Sequence, residues 1–213
     1  MPPISLQFII NYDGAMLDTL QYPEYTELVP DLFSLLLPPK LICKTTKGET
    51  MSKSKEIKTN AMRILESMKI PYTQYTYECD EFIDAIQIAD SLGLPHEEVY
   101  KTLVTRGAHD YFVFVIPIHR ELDLKAAARS VGEKSIEMIP VKDINAVTGY
   151  IRGGCTAIGM KKQYVTRLDA SAESRPAIIV SGGRIGSQIK LSPEGLLTAA
   201  RASYADVVRQ DEP

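Results

Sequence analysis

The densest chemical signal in the chain is Thr148-Gly149-Tyr150-Ile151-Arg152-Gly153-Gly154-Cys155-Thr156-Ala157-Ile158-Gly159, which sets four glycines within twelve residues. Glycine reaches positive φ without a Cβ penalty and lets a ligand approach the main chain. Successive N–H groups in such turns form a concavity suited to an anion or a polarised carbonyl oxygen. A plain surface loop would show the same composition, so this stretch gains meaning only from its neighbours. Lys101 is the second candidate, a lone cation in the apolar run Val99-Tyr100-Lys101-Thr102-Leu103-Val104. Its stem can pack on a sheet while the ammonium snorkels to water. Alternatively, the ammonium can enter a cleft and donate to a carbonyl, ribose or phosphate oxygen.

Other reactive residue types lack the partners that catalysis requires. Ser181 precedes Gly182-Gly183, but no Gly-x-Ser-x-Gly elbow surrounds it and no histidine is spaced to activate it. Cys155 has no paired histidine and reads as a small apolar lining residue. His96, His109 and His119 are scattered at a helix start, a turn and a strand exit. Asp169 ends a strand, where an Asx turn is the ordinary reading. Tyr77 and Tyr150 fit a core or a rim. No GxxxxGK[ST], GxGxxG after a strand, HExxH or paired-carboxylate pattern occurs, and no cysteine or histidine set has metal-ligand spacing. No metal or cofactor is expected.

The elements that must position these residues read as a mixture. Residues 56–69 place Ile57, Ala61, Ile64, Leu65 and Met68 on one helical face. Tyr72 to Tyr77 alternates as a strand, and Asp84 to Leu92 reads as a helix stopped by Gly93. Lys101–Thr105 and Tyr111–Ile116 form a hairpin around Gly107-Ala-His-Asp110. A helix over Leu122–Val131, a strand over Lys134–Ile139 and a short helix over Val141–Ala146 lead into the glycine loop. Strands follow near Tyr164–Leu168 and Pro176–Val180, and Gly182-Gly183 turns the chain into Ile185–Leu191. Ser192-Pro193-Glu194 opens a last helix through Arg201. Without βαβ repetition, the expectation is one α+β domain.

Composition sets the outer limits. The chain is 213 residues long, 45% hydrophobic and 24% charged, as in globular proteins that fold around a core. Three cysteines are too few and too odd for a disulfide framework, which points to a reducing, cytoplasmic setting. No apolar run approaches the roughly 20 residues of a membrane span, and the first residues lack the basic n-region of a signal peptide, so secretion is not expected. Residues 1–50 hold six acids and three lysines, which accounts for the formal charge of −3. That segment has no sustained periodicity, so it reads as a disordered extension or an early start, with Met51 the natural one and 51–213 the domain. Between Lys134 and Lys190 nine bases face four acids, a modest hint of a polyanionic partner.

Taken together, several segments resemble the YbaK/EbsC family of Cys-tRNA(Pro) deacylases, relatives of the editing domain of bacterial prolyl-tRNA synthetase. They are Thr59-Asn60-Ala61-Met62-Arg63-Ile64-Leu65, Tyr77-Glu78, Val99 to Val104, Leu122-Asp123-Leu124-Lys125 and Thr148 to Gly154. Ile158-Gly159-Met160-Lys161-Lys162, Asp169-Ala170-Ser171-Ala172 and Ser181-Gly182-Gly183 continue in family order, so the resemblance spans roughly 57–208. One departure stands out: the family loop usually continues Gly-Gly-x-Ser-Pro-x-Gly, and Thr156-Ala157 here replaces Ser-Pro. Losing the fixed φ of proline predicts a looser pocket rim.

The resemblance implies a mixed, partly open β-barrel flanked by helices and removal of a wrongly attached amino acid from tRNA. It also implies that the cysteinyl thiol attacks its own ester, leaving the protein to position and stabilise. Lys101, Gly149, Gly153 and Gly154 would then act in catalysis. Tyr77, Thr102, Tyr150, Asp169, Ser181 and Gly182 would hold the substrate, and Arg152, Lys161 and Lys162 would meet the tRNA backbone. The implied partners are aminoacylated tRNA(Pro) or tRNA(Cys), and prolyl-tRNA synthetase. Deacylation of Ala-tRNA(Pro) or another small-amino-acid tRNA by water, and a non-catalytic tRNA- or synthetase-binding module, are the rival readings.

Overall fold

A computed structural model of the chain describes residues 58–78 and 84–209. The expected extension over 1–50, and the start at Met51, lie outside these residues. Helix α1 (Asn60–Ser67) begins where the Thr59 hydroxyl accepts from the Met62 N–H at 3.3 Å, an N-cap that satisfies one orphan donor. Its buried face is Ala61, Met62 and Leu65; Met68, expected on that face, sits beyond the last turn and is exposed. Strand β1 (Thr73–Thr76) follows. Helix α2 (Ala85–Leu92) is capped by Asp84, which accepts from the Ile86 N–H, and Gly93 closes it at φ 63°.

The hairpin is the fold's backbone. Strands β2 (Tyr100–Arg106) and β3 (Tyr111–Pro117) pair antiparallel over seven residues, from Tyr100 opposite Pro117 to Arg106 opposite Tyr111. Strand β3 reads Tyr-Phe-Val-Phe-Val-Ile-Pro, a nearly continuous apolar run, and such runs belong to strands covered on both faces. Val113 and Val115 enter one core with Met62, Leu65, Ile178, Ile189 and Leu196. Phe112, Phe114 and Ile116 enter a second with Ala127, Ala128 and Val207.

Beyond the hairpin come α3 (Leu124–Ser130), β4 (Glu137–Met138), α4 (Ile144–Thr148) and β5 (Val165–Asp169). The chain then forms β6 (Ile178–Ser181), β7 (Ser187–Leu191), α5 (Pro193–Ala200) and β8 (Ser203–Ala205). One sheet has the order β4-β2-β3-β5-β8, with β3, β5 and β8 parallel; the other is antiparallel, β1-β7-β6. A parallel bridge between Val99 and Ile179 joins them. The mixed α+β class and open barrel-like arrangement therefore hold, as two sheets rather than a closed one.

Local expectations differ in places. The strand expected over Lys134–Ile139 shrinks to two residues, because only Thr105 and Arg106, at the turn end of β2, pair with it on the edge away from β3. Helix α3 starts two residues later than expected, since Asp123 takes the cap and Leu122 bridges Val208. Strand β8 carries no alternation strong enough to read; its parallel partner β5 creates it. The last helix stops at Ala200, and Arg201 adopts the left-handed cap at φ 51°.

Thr59 ties the first helix to the second sheet, because its hydroxyl also donates to the Gly182 carbonyl at 2.6 Å. Thr59→Val should lower stability by about 1–2 kcal/mol, the scale of a lost cap plus a buried hydrogen bond. Thr59→Ser should retain most of it. Urea midpoints at constant m-value check both.

Candidate functional site

Residues 99–103 of the hairpin edge form one wall of a cavity of about 200 Å³. Asp84, Ala85 and Ile88 close it from α2; Arg152, Gly153 and Cys155 from the glycine loop; Ser181 and Gln188 from β6 and β7. Lys101 is half-buried here, and its Nζ donates to the Ile118 carbonyl at 2.9 Å. That acceptor is itself fixed, because the Ile118 N–H returns to the Val99 carbonyl at 2.9 Å. Burial holds the Lys101 ammonium below its ordinary pKa of 10.5, while the Asp84 and Glu121 carboxylates pull the other way. The unfolded chain thus holds this proton more tightly than the folded one. Lys101 therefore adds stability as pH rises through its lowered folded value toward 10.5, and below that window its buried charge is a standing cost.

The glycine loop reaches this cavity because other contacts clamp it. Gly149 caps α4 at φ 85°, a conformation a side chain would strain. The Tyr150 hydroxyl donates to the Ile158 carbonyl at 2.6 Å and staples the loop's two ends. A Cβ on Gly154 would lie 2.9 Å from the Arg184 Cα, so glycine is what lets the loop rest on the turn after Ser181-Gly182-Gly183. Two motifs about thirty residues apart in sequence are thereby packed backbone to backbone.

The cavity's chemistry is one of donors and acceptors without a strong nucleophile. Burial pushes the Cys155 thiol up to about 11, against a smaller opposing effect of the Thr148 hydroxyl, so it stays protonated near neutrality. The Ser181 hydroxyl accepts from the Gly183 N–H at 3.3 Å, a local turn bond. Gln188 is 7% exposed, and its buried Oε1 has no hydrogen-bond partner among the described residues. Buried acceptors are rarely left so, and this one stands ready for a ligand donor.

The structure gathers Lys101, Thr102, Arg152, Gly153 and Ser181 around one cavity. It places the other sequence candidates elsewhere. Gly149, Gly154 and Tyr150 shape the loop without lining the cavity, and Gly182 donates to the Ser187 carbonyl within the turn. Tyr77 is buried, with its N–H on the Gly186 carbonyl at 3.1 Å. Asp169 lines a separate cavity and accepts from the N–H groups of Ser171 and Val207. Lys161 donates to the Asn145 carbonyl at 2.9 Å, and Lys162 is exposed; of the three expected tRNA-backbone cations only Arg152 lines the cavity. Thr156 and Ala157 are buried beneath the loop rather than on the rim, so the departure from Ser-Pro bears on loop support.

Two polar lining residues carried no functional signal in the sequence. Asp84 read only as the start of the helix Asp84–Leu92, and Gln188 only as part of the segment Ile185–Leu191. A central position of β7 between β1 and β6 buries Gln188.

Residues 81–199 match the aminoacyl-tRNA editing domain family. The chain belongs to that family. The stretch matched contains every lining residue from Asp84 to Gln188, so the cavity lies wholly within the editing domain. A protein of Enterococcus faecalis, provisionally named Cys-tRNA(Pro)/Cys-tRNA(Cys) deacylase EbsC, is 45% identical over 164 residues, covering 76% of this chain and 100% of that protein. Two solved structures share the editing-domain fold. The hypothetical protein APE2540 superposes at a TM-score of 0.62 with 22% identity, over 69% of this chain and 97% of that one. A protein provisionally described as a trans-editing enzyme for prolyl tRNA synthetase superposes at 0.60 with 21% identity, over 76% and 100%. Among the described residues, no helix is long and apolar enough to cross a membrane.

Testable outcomes follow for this cavity. Lys101→Met should match or exceed the wild type in stability at pH 7, because the desolvated charge is gone. The wild type should gain on the variant as pH climbs toward 10.5, which urea melts across pH 7–10.5 measure. Cys155 should react slowly with iodoacetamide at pH 7.5 and accelerate toward pH 11, read peptide by peptide by mass spectrometry. Cys155→Ala should leave deacylation within about twofold if the thiol is no nucleophile.

Proposed function

We propose that this editing domain removes cysteine from mischarged Cys-tRNA(Pro), and from Cys-tRNA(Cys), with the substrate's own thiol as nucleophile. The observation that carries this reading is the cavity's composition: a held ammonium, a protonated thiol and a buried amide, with no histidine among its lining residues. A site that supplies no nucleophile–base pair suits a substrate that brings its own nucleophile. The whole-length likeness to the enterococcal protein supports the same substrate.

The cysteinyl sulfur, once it has lost its proton, attacks the ester carbonyl carbon and closes a four-membered ring. The tetrahedral oxyanion collapses, the bond to the ribose oxygen breaks, and that oxygen takes up a proton. The products are a β-thiolactone and free tRNA. Lys101, which lines the cavity, would donate to the developing oxyanion or the departing ribose oxygen, and Gly153, at φ 82° in the same wall, would let loop backbone approach the carbonyl. Preorganised donors of this kind and an enforced ring-closing conformation can carry most of a rate enhancement. Arg152, at the cavity and exposed, would meet the tRNA backbone. Limited tRNA contact in a small domain favours prolyl-tRNA synthetase as a docking partner, and the sparse cysteines favour a cytoplasmic setting.

Asp84 supports a second reading. Its carboxylate lines the same cavity and could orient a water for hydrolysis of Ala-tRNA(Pro). Turnover of Cys-, S-methyl-cysteinyl- and Ala-tRNA(Pro) by the full chain separates the two. Thiol assistance predicts that only the first is consumed, and that Lys101→Ala slows it by about a hundredfold or more. Equal consumption of the S-methyl substrate, which cannot cyclise, would overturn it. Consumption of Ala-tRNA(Pro) that depends on Asp84 would establish the hydrolytic reading. Binding of all three without turnover would make the domain a tRNA-binding module.

A further inference from the structure

A second cavity, of about 320 Å³, opens where three parallel strands end. Strand β3 delivers Pro117, His119 and Arg120 to it; β5 delivers Asp169, Ser171 and Arg175; β8 delivers Asp206 and Val208. The space outside the carboxyl ends of parallel strands is where open sheets place ligands, because the chain leaves each strand there as adaptable loop. Here all three parallel strands contribute polar side chains to one hollow.

Its charges are not a simple anion trap. Asp169 is committed to the Ser171 and Val207 N–H groups and holds β5 to the chain beyond β8. The cavity is also lined by the acids Glu97 and Asp206 and the bases Arg120, Arg175 and His119. Arg120 is oriented by donation to the Arg209 carbonyl at 3.0 Å. The Tyr100 hydroxyl and Ser171 Oγ are hydrogen-bonded at 3.1 Å along the wall. Two planar guanidiniums, hydroxyls and carboxylates together match a nucleotide. Guanidinium suits phosphate and can stack on a base, while the hydroxyl and carboxylate oxygens suit ribose and base-edge donors.

The link to the reactive cavity is Tyr100. It lines both hollows, which therefore share a wall. Successive side chains of a strand point to opposite faces, so Lys101, the next residue, faces the other side of β2, and the shared Tyr100 wall is what sets the two hollows side by side.

We propose that this second cavity is a nucleotide subsite that holds a phosphodiester-linked nucleotide of the unpaired tRNA 3′ end, one step back from the ester beside Lys101. The proposal rests on the editing reading for what fills the first cavity, but its own contacts are to RNA. Arg175 and His119 carry the phosphate contact; neither lines the reactive cavity.

The test compares substrates with and without that nucleotide. Arg175→Ala should weaken binding of an uncharged acceptor-stem RNA with a single-stranded 3′ end by about tenfold, as for a lost charge-assisted contact. KM for Cys-tRNA(Pro) should rise by the same factor while kcat holds. Turnover of 3′-O-cysteinyl adenosine, which lacks the nucleotide, should be unchanged. The salt dependence of RNA binding should become shallower by about 0.7 in log–log slope. His119→Ala, at an exposed position, repeats the experiment with little risk to folding and should shift the same readouts in the same direction. Unchanged RNA affinity in both variants overturns the subsite, and so does an equal loss on cysteinyl adenosine, which would make the effect one on the reactive cavity. If the wild type binds the RNA through Arg175 yet deacylates nothing, the subsite stands and the editing reading falls.

Discussion

A lysine ammonium that is half out of water and still charged is the constraint around which this protein is arranged. Such a charge is tolerated only where an acceptor waits for it. The acceptor is the Ile118 carbonyl, held in place because the neighbouring N–H closes back onto Val99. That closure depends on the register of β2 with β3, which sets Lys101 opposite Ile116. The register in turn depends on β3 being buried on both faces, since a one-residue slip would exchange its valines and phenylalanines between two differently shaped cores. The site's geometry is thus a consequence of core packing.

The glycine motifs extend the same logic to the opposite wall. Gly154 permits contact with the Arg184 backbone, and the Gly182 carbonyl takes the Thr59 hydroxyl, so loop, turn and first helix lock together. A loop clamped this way presents its main chain to a ligand at little further entropic cost, which is what preorganised stabilisation of a developing charge requires. The half-buried Lys101 is paid for in stability by the rest of the fold, a common trade at functional sites.

Chemically, the cavity is defined by restraint. Its thiol is kept protonated by burial, its serine is engaged in a local turn, and its glutamine offers an acceptor and no attack. On the proposed reading, such a site works through shape and electrostatics, and selectivity would follow from which substrates can react with themselves once held. The second hollow at the strand ends shares its Tyr100 wall with the first, and the proposed RNA subsite would make the two parts of one binding track.

The sequence alone determined the element types and most of their ends, because caps, turns and hydrophobic period are local: Asp84 and Gly93, the hairpin around Gly107, and Ser192-Pro193 are read within a few residues. It also marked Lys101 and the glycine loop, since a cation in an apolar run and clustered glycines are anomalies visible without coordinates. Assembly was decided only by the tertiary structure. Gln188 is one residue of an ordinary strand until β7 becomes central and buries it. Asp169, an Asx turn by its residues and a substrate contact only by resemblance, is found with both oxygens on backbone N–H groups. Thr156-Ala157 reads as a rim substitution until burial places it under the loop. Strand β8 acquires its conformation only from pairing with β5. These distinctions depend on contacts between residues tens of positions apart, and a local pattern carries no record of which of its faces a distant strand will cover.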